Sequence, residues 1–146
     1  MDSTALDAEL ITALRTRGQR VTLPRLLVHR HVKQGDRHVT PEQIHAELAT
    51  ELPSLSQATV YGTLDLLAEL GLVRRVATPR GMTTYDSRVE EHQHAICRVC
   101  GRVEDVEAVA GATRAIAAAE AAGFKVAHAQ LTLSGLCAVC AAAGRS

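Results

Sequence analysis

Tryptophan is absent from this 146-residue chain, phenylalanine occurs once and tyrosine twice. With aromatics at 2% and hydrophobic residues at 47%, a buried core has to be built from leucine, valine, isoleucine and alanine. No apolar run approaches the roughly 20 residues that span a bilayer. Met1-Asp2-Ser3-Thr4 lacks the basic-then-apolar opening of a secretory signal. Net charge is missing too, with 16 Lys and Arg against 16 Asp and Glu. That balance argues against a polybasic tail and against wholesale disorder. A nucleic-acid role would therefore rest on local charge. The expectation is a cytoplasmic globular protein of one domain or two small ones.

The first seventy residues read as helices. Leu6, Leu10 and Leu14 share one helical face, with Ser3 or Thr4 as N-cap and Gly18 as the stop. A second helix opens at Thr22, carries Pro24 in its first turn and ends near Gly35. A third has Thr40 as N-cap, Pro41 at the first helical position and Gln43 completing a capping box. Its apolar face is Ile44, Leu48 and Leu52, and Pro53 closes it. A fourth runs from near Ser56 through Val60, Leu64 and Leu67 to Gly71. Leu72–Val76 and Thr83–Tyr85 flank a Thr78-Pro79-Arg80-Gly81 turn, which predicts a β-hairpin. This order is that of a winged helix-turn-helix, and a small helical bundle with a hairpin would share it. Between Arg15 and Arg37 stand seven basic residues against one acid, Asp36. A phosphate-contacting surface needs such a stretch, and a solvated helix face resembles it. Beyond residue 90, strand-like pieces surround an Ala-rich helix from Val106 to Ala122, with strand character from Phe124 to Leu136.

All four cysteines fall in two pairs, Cys97-Arg98-Val99-Cys100 and Cys137-Ala138-Val139-Cys140. Each Cys-x-x-Cys turn aims two thiolates at one ion, and two turns complete the tetrahedron zinc favours. Such a closed site is structural and leaves no position for substrate. His92-Gln93-His94 stands just before Cys97. On a strand these two imidazoles share a face. With Asp86, Asp105 and the more distant His38 they form a nitrogen/oxygen donor set that suits Fe2+ or Mn2+. The alternative is that His92 and His94 are exposed linker residues. His29, His31 and His45 rank lower, His45 as an exposed helical residue.

The segments Arg20-Val21-Thr22-Leu23-Pro24-Arg25, Ser56-Gln57-Ala58-Thr59-Val60-Tyr61, Gly71-Leu72-Val73, His92–Gly101 and Gly135-Leu136-Cys137 with Cys140 together resemble the ferric uptake regulator family of bacterial metal-sensing repressors. The resemblance implies an α+β chain. Residues 1–85 would be a winged-helix DNA-binding domain, 86–91 a hinge, and 92–146 a small α/β dimerisation and metal-binding domain. It implies structural Zn2+ at Cys97, Cys100, Cys137 and Cys140, and a regulatory Fe2+ or Mn2+ at His38, Asp86, His92, His94 and Asp105. It implies DNA contacts from Arg20, Arg25, Ser56, Gln57, Thr59 and Tyr61, a homodimer, and a pseudo-palindromic double-stranded operator. Aspartate at both carboxylate positions resembles the family's peroxide-responsive branch, whereas the iron-uptake branch places glutamates there. Two departures stand out. An additional metal site of the family would need donors at Glu91, Gln93, Ala112 and His128, and Ala112 has none, so His128 is read as structural. Many members carry Arg or Asn after the tyrosine, where this chain has Gly62.

The function expected is a metal-dependent repressor that senses peroxide through oxidation of a histidine ligand, not an enzyme. The alternative within the family is an iron- or manganese-uptake repressor. From other classes come a metal-site hydrolase or peroxidase and a protein-binding zinc-ribbon adaptor.

Overall fold

Leu6, Leu10 and Leu14, four residues apart, are all buried along α1 (Ser3–Thr16). In the computed structural model, which describes residues 2–35, 38–79, 81–107, 110–127 and 129–146, the chain divides into two compact units, Met1–Val89 and Glu90–Ser146. In the first unit the N-cap of α1 is Asp2, not Ser3 or Thr4, because the backbone is still extended at Asp2 and already helical at Ser3. α2 (Leu23–Gln34) follows extended Thr22 and buries Val28, His29 and Val32. α3 (Pro41–Leu48) opens on a reciprocal capping box, Thr40 N–H to Gln43 Oε1 at 2.8 Å and Gln43 N–H to Thr40 Oγ1 at 3.3 Å. It ends at Leu48, a turn before Pro53. The Thr50 hydroxyl donates to the Glu47 carbonyl at 2.8 Å, a local bond that competes with helix continuation. Leu52 nevertheless packs against the core. α4 (Gln57–Glu69) is capped by Ser56, whose hydroxyl accepts from Thr59 N–H at 3.1 Å, and buries Val60, Thr63, Leu64 and Leu67.

The wing starts later than the hydrophobic run. Leu72 N–H donates to Leu67 O at 2.9 Å and Gly71 N–H to Ala68 O at 3.0 Å. These bonds close α4 with Gly71 at φ +73°, which keeps Leu72 out of the sheet. β2 (Arg74–Ala77) then pairs antiparallel with β3 (Thr83–Asp86). Arg80, in the expected turn, and Asp36 and Arg37, in the expected basic stretch, lie outside the described residues. A third strand, β1 (His38–Val39), pairs with β3 on its other side, giving the order β1-β3-β2. Two residues are too few to show alternation, so the sequence pattern did not indicate it. Tyr85, on β3, donates its hydroxyl to Asp65 on α4 at 2.6 Å. Burial, and then the Asp65 carboxylate, push the phenol up to about 12. Arg75 pairs with Asp65 and lies 5.9 Å from the Tyr85 ring centroid.

His29 is fully buried on α2, with Nε2 3.3 Å from Glu9 on α1. Burial lowers its pKa below the ordinary histidine value, with Glu9 opposing the shift and Lys33 adding to it. Asp7 also faces it and is engaged by Arg30 at 2.6 Å. A histidine held neutral by the fold stabilises it fully above about pH 6.5, and that contribution is lost as pH falls through the lowered folded value. Thermal midpoints should therefore fall more steeply between pH 7 and 5.5 in the wild type than in His29→Gln. Parallel midpoint curves would show that His29 is not the group responsible.

In the second unit β4 (His92–Cys97) is central, antiparallel to β5 (Val103–Glu107) and parallel to β6 (Thr132–Gly135). Val106 and Glu107, expected in the Ala-rich helix, instead pair with Gln93 and His92. The helix, α5, is Ala110–Ala121. It supplies the crossover that a parallel β4/β6 pair requires. Strand structure begins only at Thr132, not at Phe124. A short helix, α6 (Ala138–Ala142), follows. Among the described residues none of α5 is buried, and Phe124, Leu133 and Val139 are exposed. No helix of the described residues is long and apolar enough to cross a membrane.

Candidate metal centres and nucleic-acid surface

The two cysteine pairs meet because β6 runs parallel to β4 with Cys97 opposite Gly135. Arg98 N–H donates to Gly135 O at 2.9 Å, which leaves Cys137 beside the turn after β4. Gly101, at φ +77°, lets that turn reverse so that Cys97 N–H reaches Arg102 O at 2.9 Å. Cys137 is the N-cap of α6 and Cys140 lies within it. The four Sγ atoms lie within 4.8 Å of one another, and those of Cys100 and Cys137 are 3.7 Å apart. Ligands at zinc–sulfur bonds of about 2.3 Å in a tetrahedron sit about 3.8 Å apart. A disulfide would need about 2 Å, and all four cysteines are free. Backbone N–H groups, that of Cys100 first and then Cys137, pull the Cys97 thiol down to about 6. Burial and the neighbouring cysteines push Cys140 up to about 12. Thiols this close oppose one another's ionisation, and a divalent cation removes that opposition. The donor set fits zinc.

His92 and His94 are buried, at 5% and 2% exposure, and so are not linker residues on the surface. They share one face of β4, with their Nε2 atoms 2.9 Å apart. His92 Nδ1 is 2.7 Å from the Glu90 carbonyl. A carbonyl only accepts, so the proton belongs on Nδ1 and Nε2 presents its lone pair, the orientation seen in metal-binding histidines. Asp105, opposite His94 in the β4/β5 register, places Oδ1 3.5 Å from His92 Nε2 and 4.0 Å from His94 Nε2. At metal–nitrogen bonds of about 2.1 Å, adjacent ligands on one ion sit about 3.0–3.4 Å apart, close to the imidazole spacing here. Within the first unit, β1 brings His38 opposite Asp86, with Nε2 3.7 Å from Oδ2. Asp86 is fully buried, and its Oδ1 accepts from Arg88 N–H at 2.8 Å. The unrecognised strand thus positions two recognised candidates.

The other histidines resolve differently. His45 is half-buried, not exposed, with Nε2 2.9 Å from the Leu55 carbonyl. His31 faces Glu47 at 3.0 Å. Gln93 is buried, with Oε1 lacking a hydrogen-bond partner among the described residues, Glu91 is exposed, and His128 lies outside the described residues.

On the first unit, Ser56, Gln57, Thr59 and Tyr61 all lie on exposed positions at the start of α4. Ser56 and Thr59 also hydrogen-bond each other, Oγ to Oγ1 at 2.8 Å, so Ser56 has a helix-capping role as well. The Tyr61 hydroxyl donates to Glu42 on α3, which lowers the Glu42 pKa and raises that of Tyr61. Arg20 and Arg25 adjoin α4, with Arg25 Nη1 donating to the Arg20 carbonyl at 2.5 Å. Not all of the basic stretch is available to a ligand, because Arg30 is paired with Asp7.

Residues 16–134 match the family model described as the ferric uptake regulator family. The chain is 37% identical over 119 residues to ferric uptake regulation protein 1 of Mycolicibacterium fortuitum, spanning 81% of this chain and 73% of the relative. It is 31% identical over 132 residues to the peroxide operon regulator of Bacillus subtilis, spanning 90% and 91%. A zinc uptake regulator solved with zinc and DNA aligns with a TM-score of 0.71 at 25% identity, over 99% of this chain and 98% of that one. Relatives of this kind are transcriptional regulators. The chain belongs to the ferric uptake regulator family and is a metal-dependent transcription regulator with an α+β architecture whose first unit is a winged helix.

Proposed function

We propose that this protein is a cytoplasmic, homodimeric repressor that binds a pseudo-palindromic operator when metal-loaded and releases it on exposure to peroxide. The observation that carries this is the buried pair of imidazoles 2.9 Å apart beside Asp105, a donor set suited to Fe2+ or Mn2+. We assign His38 and Asp86 to the same regulatory ion. Cys97, Cys100, Cys137 and Cys140 hold a structural Zn2+. Ligands drawn from both units make domain geometry depend on metal, and operator half-sites demand recognition helices one DNA turn or a multiple apart. Moving such an equilibrium from 1:99 to 99:1 takes about 5.5 kcal/mol of differential binding. The exposed apolar residues of the second unit support the dimer.

Aspartate at both carboxylate positions, with the likeness to a peroxide operon regulator, supports the peroxide assignment. Fe2+ held there would promote cleavage of the peroxide O–O bond, with the imidazole C–H as the net two-electron reductant. The chain supplies the acceptor, a ring carbon of His38 or His92. Overall, the peroxide O–O bond breaks, one oxygen is inserted into an imidazole C–H bond, and the other leaves as water. The higher identity to a ferric uptake regulation protein favours a second reading, repression of iron uptake without the peroxide response.

DNA retention measured with Mn2+ or Fe2+ and with chelator tests the proposal. Binding should require metal. Arg25→Ala should weaken binding to every duplex and reduce the salt slope by about one, as loss of a phosphate contact does. Tyr61→Ala should narrow the gap between operator and random DNA. Metal-independent binding, or none with metal, would overturn the function. Equal losses on both DNAs for Tyr61→Ala would remove its base-reading role.

A further inference from the structure

Position 62, in the middle of α4, is a glycine on the exposed side that also carries Thr59 and Tyr61. Glycine weakens a helix interior through the backbone freedom it loses on folding. Among the described residues nothing calls for it. Its φ is not positive, and a Cβ built there would meet no heavy atom within 4 Å. Alanine would fit the folded protein without displacing anything. The space left by the missing side chain is open to a partner from outside the chain.

The surroundings indicate what that is. Gly62 lies in the wall of a concavity between the start of α2 and α4, lined also by Arg20, Thr22, Pro24, Arg25, Thr59 and Thr63. Two arginines and three threonines line it, and no acidic residue does. Arg25 spends one N–H on the Arg20 carbonyl and keeps others to donate. We propose that Gly62 forms the floor of a seat for a DNA backbone phosphate, the absent Cβ letting the sugar–phosphate strand close on α4 while Arg20 and Arg25 neutralise it. A long side chain at this position would exchange backbone approach for a base contact, so residue 62 helps set how the protein trades affinity against sequence preference. The inference rests on the DNA-binding function proposed above.

The test compares wild type with Gly62→Ala and Gly62→Gln, loaded with Mn2+, on duplexes selected from a random pool by the wild type and on unselected duplexes. Both variants should fold, with thermal midpoints raised by roughly 2–6 °C. Both should bind selected and unselected DNA more weakly, by about fivefold for alanine and more for glutamine, with a flatter salt dependence. Unchanged or tighter binding by Gly62→Ala overturns the inference while leaving the function intact. A loss confined to selected DNA also overturns it, because that marks a base contact. If the wild type retains no duplex with Mn2+ or Fe2+, the function and the inference fall together.

Discussion

Cys137→Ser should be purified without its zinc and with the second unit unfolded, while the first unit stays helical. The expectation follows from where each unit finds its stability. The first unit buries a continuous cluster that includes Leu10, Leu14, Val28, Ile44, Leu64 and Tyr85. Among the described residues of the second unit the buried hydrophobic ones are Ile96 and two of the cysteines, Cys97 and Cys140. Structural zinc contributes about 10–16 kcal/mol in small zinc-binding domains, which is as large as the whole stability of a typical domain. Losing one thiolate of four should therefore remove the main stabilising interaction of a unit that has little apolar core to replace it. Zinc content should fall from one equivalent to near none, sedimentation should show loss of the dimer, and metal-dependent DNA retention should drop by at least about 100-fold. Far-UV circular dichroism should keep most of the signal of α1 to α4. Cys97→Ser should behave alike. A zinc-free variant that remains a dimer with full DNA affinity would show that the cysteines do not carry the fold.

Chemistry with a fixed short spacing was legible in the sequence, and contacts made by distant pairing were not. Each Cys-x-x-Cys turn states its own geometry, and His92 and His94 follow the period of a strand. Thr40-Pro41 with Gln43 announces a helix start that the structure forms bond for bond. β1 stayed hidden because His38 and Val39 become a strand only through β3, whose Asp86 lies 48 positions away and opposite His38. The end of α3 was misplaced because a hydroxyl at Thr50, not the proline at 53, diverts the chain. Val106 read as helical because it adjoins an alanine-rich run, yet its pairing with Gln93 decides. The Tyr85–Asp65–Arg75 contact between the hairpin and α4 had no local signal at all. A basic run likewise says nothing about which arginines are already engaged, as Arg30 is by Asp7.

Asp105→Glu should leave metal-dependent DNA binding in place and blunt the response to peroxide. Asp105 lies opposite His94 on the neighbouring strand, and its carboxylate reaches toward both imidazoles at 3.5 and 4.0 Å. Both strands are fixed by their ladder, so an extra methylene has to push the carboxylate about 1.3 Å further toward the imidazoles or fold it back. Pushed forward, its second oxygen would compete with peroxide for an ion held there. Affinity for the ion changes little because the donor types are unchanged, but access for the oxidant falls. On the peroxide assignment, the wild type loaded with Fe2+ should release operator within minutes of a mild dose and gain one oxygen on His38 or His92 by peptide mass spectrometry. The Mn2+-loaded protein should do neither, and Asp105→Glu with Fe2+ should need about tenfold more peroxide. Zinc should stay bound, since thiolates in a closed site are poorly accessible. Release of DNA through oxidised cysteines with the histidines untouched would mark a thiol switch. Wild-type Fe2+ protein that holds its operator through the treatment would move this chain to the iron-uptake repressors, with the two aspartates serving only to bind the ion.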